Sequence, residues 1–367
     1  MEVKVPGKLI LLGEYGILEA NHQAIVMAVN RYLKVSIYRS KTYEIHSEVF
    51  DIPITFRVNQ GRINMDRESK DILFVKEALE IVFKYLFELK ISIPVFSLSI
   101  TSELKDPKLS KSYGLGSSGA TVVGIIKSVL EFLTTNSLVN NKEQVNIDID
   151  TIFRLSIIAH YKAQGNGSGV DIAASVYGGV LLYYSMDHQW LSRELSKKEG
   201  LIKLVTKSWP CGQVESLKLP ENLGIAVGWT GEKASTQDMV DAYLKFRSYQ
   251  TIDLKHTSYD IQDSFLLKSK QNMTLFLEGI RYQNIQIILK AVKGQRAALL
   301  ELETSMNVIM ETPKLNKLCE IFSEIGEAKL SGAGGGDCGI GFYDIAFKNQ
   351  LELIIRQWED AGIEYLD

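Results

Sequence analysis

A glycine- and serine-rich loop, KSYGLGSSGAT at residues 111–121, runs directly into an apolar stretch of helical period, and the rest of the chain is read from that junction. Gly114, Gly116 and Gly119 let the backbone turn tightly and approach a ligand with no side chain in the way. Ser117 and Ser118 place hydroxyls where the helix begins, and Val122, Val123, Ile125, Ile126, Val129, Leu130 and Leu133 follow at helical spacing. Unpaired N–H groups and the positive end of the helix dipole gather at such a start, so an anion is its natural ligand. A nucleotide's phosphates would suit it; a plain turn before a helix is the other reading of the same residues. The loop has neither the lysine of a Walker P-loop nor the spacing of a dinucleotide fingerprint.

At 367 residues the chain is long enough for two domains, each with its own core. Its net charge of −3, with no dense Lys/Arg tract, argues against nucleic acid or an acidic membrane as partner, and no obligate protein partner is expected. Cys211, Cys319 and Cys338 have no metal-ligand spacing and read as reduced thiols of a cytoplasmic protein. The apolar run near the N-terminus is too short for a signal peptide, and no later stretch is expected to reach membrane-spanning length.

Strands and helices interleave, which predicts an α+β architecture with helices packed on a mixed sheet. Strands are expected over 2–12, in two pieces over 24–38 broken near Asn30, in a pair over 42–57, and over 94–102. Helices are expected over 70–89, from 117, and over 150–163, followed by a short helix and a strand near 180–185. The mixed segment 186–222 holds the expected domain junction, giving domains 1–188 and 189–367. The second half opens with strand 223–230, continues with long amphipathic helices to about 325, and ends with a glycine-rich turn, a helix over 346–361 and a short strand.

Three further stretches carry chemistry. Lys8 stands in VPGKLILLGEYG, where a surface lysine is the simpler reading of the residue alone. Asp171 closes GNGSGVD ahead of an apolar run, where a capping carboxylate is the simpler one. SGAGGGDCGIG at 331–341 packs Gly332, Gly334, Gly335 and Gly336 together, as a flexible turn or as a backbone nest against a ligand.

Taken in order, PGKLILLGEY, GLGSSG, GNGSGVD and SGAGGGDCG resemble the GHMP small-molecule kinases over essentially the whole chain, and within them the bacterial phosphomevalonate kinase branch. GEY after the first lysine, KSYGLGSSG without an opening proline, and GAGGGDCGI select that branch; VGWTGEKAST at 227–236 also resembles it. The resemblance implies a two-domain GHMP kinase fold, with a ribosomal protein S5 domain 2-like N-terminal domain and a ferredoxin-like C-terminal domain. It implies ATP as co-substrate, Mg²⁺, and a phosphomevalonate acceptor held in the cleft between the domains, with mevalonate kinase or a non-catalytic sensor of the same fold as alternatives.

Residue by residue, the resemblance implies that Gly114, Leu115, Gly116, Ser117, Ser118 and Gly119 hold the ATP phosphates, with Ser118 favoured as the Mg²⁺ ligand. Lys8 and Asp171 would be the catalytic pair, Lys8 and Ser168 would touch the acceptor, and Gly334 and Gly335 would close the site. Lys111 is a second candidate cation for the anionic ligands, with a solvated loop lysine equally open. Ser235 and Thr236 are candidates on the acceptor side, with a helix N-cap as the competing reading. Asp337 is expected to fold back as an Asx turn and Cys338 to pack. Phe74 is among the apolar side chains that could line a base pocket. His160 stands where mevalonate kinases carry a glutamate metal ligand and reads as a packed core histidine.

Overall fold

The computed structural model describes the chain apart from residues 21, 49–51, 68, 70–71, 110, 136–147, 166, 233–234 and 253–257, and the side chains of 135, 249–252 and 258–263. Its first sheet is built from β1 (Glu2–Leu12), β2 (Gln23–Arg39), β3 (Tyr43–Ser47), β4 (Ile54–Asn59), β5 (Arg62–Met65), β6 (Phe96–Ser102), β7 (Val180–Tyr184) and β8 (Val214–Leu217). The order is β5-β4-β3-β6-β2-β7-β8, with β1 also on β2; β3 and β6 are parallel and the other pairs antiparallel.

The break expected near Asn30 is absent: β2 is one strand of 17 residues. Residues 23–27 pair with β7 and residues 33–39 with β6, so Asn30 stands where β2 exchanges one neighbour for the other. An exposed polar residue at a change of partner looks, in sequence, like the end of a strand.

Helices α1 (Leu73–Glu88), α2 (Ser117–Thr135), α3 (Ile149–Gln164) and α4 (Val170–Tyr177) pack with this sheet around one large core. The start of α1 expected at Lys70 lies outside the described residues. Gly124 lets α2 lie close on the sheet, since a β-carbon there would meet Val35 Cγ2 at 2.8 Å. Contrary to expectation, one stretch does have membrane-spanning length and hydropathy, Ser117–Thr134 of α2; with 67% of it buried inside the protein, its apolar character is that of a core helix.

The expected division after residue 188 cuts into this unit. Helices α5 (His188–Ser196) and α6 (Leu201–Thr206) bury Leu191, Leu201 and Leu204 in the same core, and β8 pairs with β7. By sheet membership we place the division between β8 and the next strand. The second sheet contains β9 (Leu223–Trp229), β10 (Gly326–Leu330), β11 (Cys338–Asp344) and β12 (Glu364–Leu366), antiparallel in the order β10-β11-β9-β12. Helices α7 (Thr236–Ile252), α8 (Ser258–Arg281), α9 (Ile285–Met306) and α10 (Pro313–Phe322) come between β9 and β10, and α11 (Lys348–Asp360) between β11 and β12. This is the βαββαβ strand order of a ferredoxin-like domain with additional helices in its first crossover.

Candidate active site

Lys8 owes its direction to a bulge. The β1–β2 register shifts between Pro6 and Lys8, and such a shift re-aims a side chain. Gly7 makes room for the loop beneath it: a β-carbon there would come within 2.8 Å of the Leu115 carbonyl oxygen. The Lys8 amide donates to that same carbonyl at 2.8 Å, and its ammonium donates to the Gly114 carbonyl at 3.3 Å. Strand and loop are therefore joined at the residue whose charge enters the cleft.

Gly114 and Gly116 have φ of 76° and 78°, in the region that favours glycine, and α2 starts at Ser117. Asp171 reaches the same point from α4. Its helix is capped by Gly169, which has no room for a side chain beside Ile157 and the Tyr183 hydroxyl, so Asp171 lies within the first turn and is not the N-cap. A β-carbon on Gly116 would meet Lys8 Cγ at 2.9 Å and Asp171 Cβ at 3.3 Å, and one on Gly119 would meet Asp171 Oδ2 at 2.6 Å. The stems of the lysine and the aspartate thus flank one glycine at the head of α2, although 163 positions of sequence separate them.

His160 is not a bystander in the core. It is 4% exposed, its ring lies 5.1 Å from that of Phe74, and Nε2 sits 3.5 Å from Asp171 Oδ2 and 3.4 Å from Ser118 Oγ. Gly167 leaves space for it, since a β-carbon there would meet the ring at 2.8 Å. Helical periodicity identifies this histidine only as inward-facing, which a core residue satisfies equally well; nothing local to HYKA indicates that it faces the cleft.

The second domain closes the opposite wall. Ser331 Oγ accepts from the Ile10 amide and donates to the Ile10 carbonyl, both at 3.0 Å, while the Tyr15 hydroxyl donates to the Ala333 carbonyl at 2.5 Å. Asp337 has φ of 52°, its carbonyl accepts from the Thr230 amide at 2.9 Å, and its carboxyl lies against Gly114, where a β-carbon would meet it at 2.6 Å. Cys338 is buried and directs its thiol at the Tyr113 carbonyl, a packing role. The two glycine loops are therefore docked on one another.

Together these surfaces enclose a cavity of about 630 Å³. Lys8, Asp171, Gly114, Gly116, Ser117 and Ser118 line one side, with Ser168, Phe74, Thr236, Gly334 and Asp337 elsewhere around it. Other candidates do not line it. Leu115 is buried with its carbonyl spent on Lys8, and Gly119 lies beneath Asp171. Gly335 donates its amide to the Met310 carbonyl at 2.7 Å. Lys111 donates to the Gly231 carbonyl at 2.9 Å, spanning the two domains, and Ser235 accepts from the Asp238 amide at 3.2 Å as a helix cap. Ser168 keeps its place on the wall while its hydroxyl accepts from the Val170 amide at 3.4 Å.

A helix N-terminus, a lysine and two hydroxyls at one end of a deep, otherwise mostly apolar cavity form a place for a polyanion with an apolar tail or base. Among the described residues no cluster of three or more His, Cys, Asp or Glu is arranged to hold a metal ion by itself.

Comparison with known proteins agrees with this geometry. The family model "GHMP kinases N terminal domain" matches residues 74–179 and "GHMP kinases C terminal" matches residues 283–364. The phosphomevalonate kinase of Streptomyces sp. (strain CL190) is 29% identical, covering 98% of this chain and 94% of that protein. Among solved structures, the Lin0012 protein from Listeria innocua is 30% identical with a TM-score of 0.87, covering 100% of this chain and 96% of that one. The Streptococcus pneumoniae phosphomevalonate kinase in complex with phosphomevalonate and AMPPNP is 28% identical with a TM-score of 0.82, covering 100% and 98%. With both family models in sequence order on the two domains and the cleft between them built as above, the chain belongs to the GHMP kinases.

Proposed function

We propose that this chain is a phosphomevalonate kinase, transferring the terminal phosphoryl group of ATP to the phosphate of (R)-5-phosphomevalonate to give the 5-diphosphate. The observation that carries it is the meeting of Lys8 and Asp171 beside Gly116 at the head of α2. End-to-end similarity to phosphomevalonate kinases of two bacteria, one of them solved with phosphomevalonate and an ATP analogue, supports the choice of acceptor.

Phosphoryl transfer demands positioning and neutralisation of charge more than covalent help. In this reading the amides of 116–118 and the positive end of α2 hold the nucleotide phosphates. Lys8 lies where a transferring phosphoryl group would stand between donor and acceptor, and its ammonium offsets the charge that both bring. The acceptor is itself a phosphate monoester with a second pKa of about 6, so near neutrality it is mostly a dianion with no proton to lose. Asp171 is then an orienting partner for the ammonium and not a general base.

Mg²⁺ fits the donors present. Ser117 Oγ is buried with no hydrogen-bond partner, and Ser118 Oγ meets His160 at 3.4 Å. These are hard oxygen donors, and Mg²⁺ completes its shell readily with phosphate oxygens and water. Ser117 and Ser118 would hold it, and the ion when bound would supply neutralisation of the phosphate charge. We place the enzyme in the cytosol, where ATP and reduced thiols coexist.

An assay coupled to ADP release, offering mevalonate and its 5-phosphate separately with identification of the product, tests the proposal. Turnover of the phosphate ester to the diphosphate is expected. A higher kcat/KM on mevalonate would make the chain a mevalonate kinase, and binding of ATP without turnover of either acid would make it a sensor.

A further inference from the structure

Glu14 and Lys329 form an ion pair across the domain boundary, and both side chains are 0% exposed. Glu14 follows β1 and lies on the cavity wall; Lys329 is in β10, two residues before the loop that closes the cavity. The lysine also donates to the Leu330 carbonyl at 2.9 Å, while Glu14 Oε2 is buried without a hydrogen-bond partner. Nothing in the phosphoryl transfer described above uses this pair.

Stability does not explain it. Taking two charges wholly out of water costs about what their attraction returns, and well-packed apolar residues often serve as well. What a buried pair does supply is direction, because each charge is tolerable only in contact with the other. Three more hydrogen bonds cross the same seam. Ile10 and Ser331 exchange two hydrogen bonds, and Tyr15 donates to Ala333. Burial, with the carboxylates of Glu14 and Glu303 nearby, pushes the Tyr15 phenol well above its ordinary pKa and keeps it a donor. The strand that carries Lys8 is thereby pinned to the end of β10, where Ser331 opens the glycine loop.

Resting on the kinase reading, we propose that Glu14 and Lys329 are positioning residues that set the distance between the Lys8 ammonium and the loop 331–334 opposite it. They act on the acceptor side of the cleft and leave the nucleotide side alone. The phosphate loop at the head of α2 is tied to β1 by the Lys8 amide and ammonium and meets the second domain through other groups, Lys111, Asp337 and Cys338, whereas the 331–334 wall is held to the first domain by the bonds that accompany this pair.

Four proteins test this: wild type, E14D, E14Q and the doubly neutral E14Q/K329M. Each is measured for melting temperature, for KM of ATP and of phosphomevalonate, and for binding of ADP and of phosphomevalonate by titration. E14D keeps the charge and withdraws the carboxylate by one methylene. It is expected to raise the acceptor's KM and Kd about tenfold with those of the nucleotide within about twofold. E14Q is expected to melt lower, and E14Q/K329M to recover most of that loss, since neither charge is left alone, while keeping the acceptor defect. Wild-type acceptor constants in E14D and in the double variant, or equal losses for both ligands, would overturn the proposal by making the pair merely structural. Failure of the kinase reading is separately visible, as wild-type protein that neither turns over nor binds phosphomevalonate.

Discussion

An alanine at position 119 would put a methyl carbon 2.6 Å from Asp171 Oδ2. The carboxylate is the free end of a side chain and can swing away, so Gly119→Ala is expected to fold and to lose about 100-fold in kcat, with a smaller change in the KM for ATP. Asp171→Asn is expected to lower kcat while keeping the shape of the pH–rate profile; a lost acidic limb would identify Asp171 as a base after all. Burial pushes the Cys319 thiol up to about 12 and raises Cys211 and Cys338 as well. The folded protein holds the Cys319 proton more tightly than the unfolded chain, whose thiol titrates near 9.0, so this contribution to stability is full below pH 9 and is lost as pH rises toward about 12. Accordingly a thiol-specific reagent at pH 8 should react with the native protein far more slowly than with the chain in denaturant. At this scale sequence separated groups unevenly. Lys8 and Asp171 stood in stretches whose joint order was informative. His160 lay in an amphipathic helix, where facing a core and facing a cleft give the same pattern.

Helix α3 delivers His160 to the cleft, and both its ends are built from recognisable residues. Asp148 caps the start by accepting from the Thr151 amide at 2.6 Å, and Gly165 ends it in the left-handed region at φ 83°. Asp148→Ala is expected to cost about 1 kcal/mol of stability, read as a lower denaturation midpoint, with kcat nearly unchanged because the cap is at the far end of the helix from His160. Helices of this kind were legible because a 3.6-residue period survives whatever the helix packs against. Strands were less so. β2 reads as two strands because its neighbours change along its length, and β8, with the burial pattern of an exposed edge, has too little alternation to declare its sheet. The bulge that aims Lys8 is a matter of register between β1 and β2, and register is a property of the pair.

Across the whole molecule, two sheets joined by a shared buried cluster of Leu11, Leu12, Ile25, Ile340 and Phe342 present one loop each to a cleft, and the loops touch through Gly114, Asp337, Tyr113 and Cys338. That meeting was implied by the order of the motifs, but the seam beside it was not, because a buried Glu and a buried Lys more than 300 positions apart leave no pattern in either neighbourhood. The account as a whole rests on a nucleotide's phosphates lying at the head of α2, within reach of Lys8 and Asp171 together. A crystal structure with a non-hydrolysable ATP analogue and phosphomevalonate tests it most directly. The terminal phosphate is predicted to contact the amides at 116–118 and the Lys8 ammonium, with the acceptor phosphate beside them; phosphates bound away from this loop, or a Lys8 side chain turned from both ligands, would contradict it.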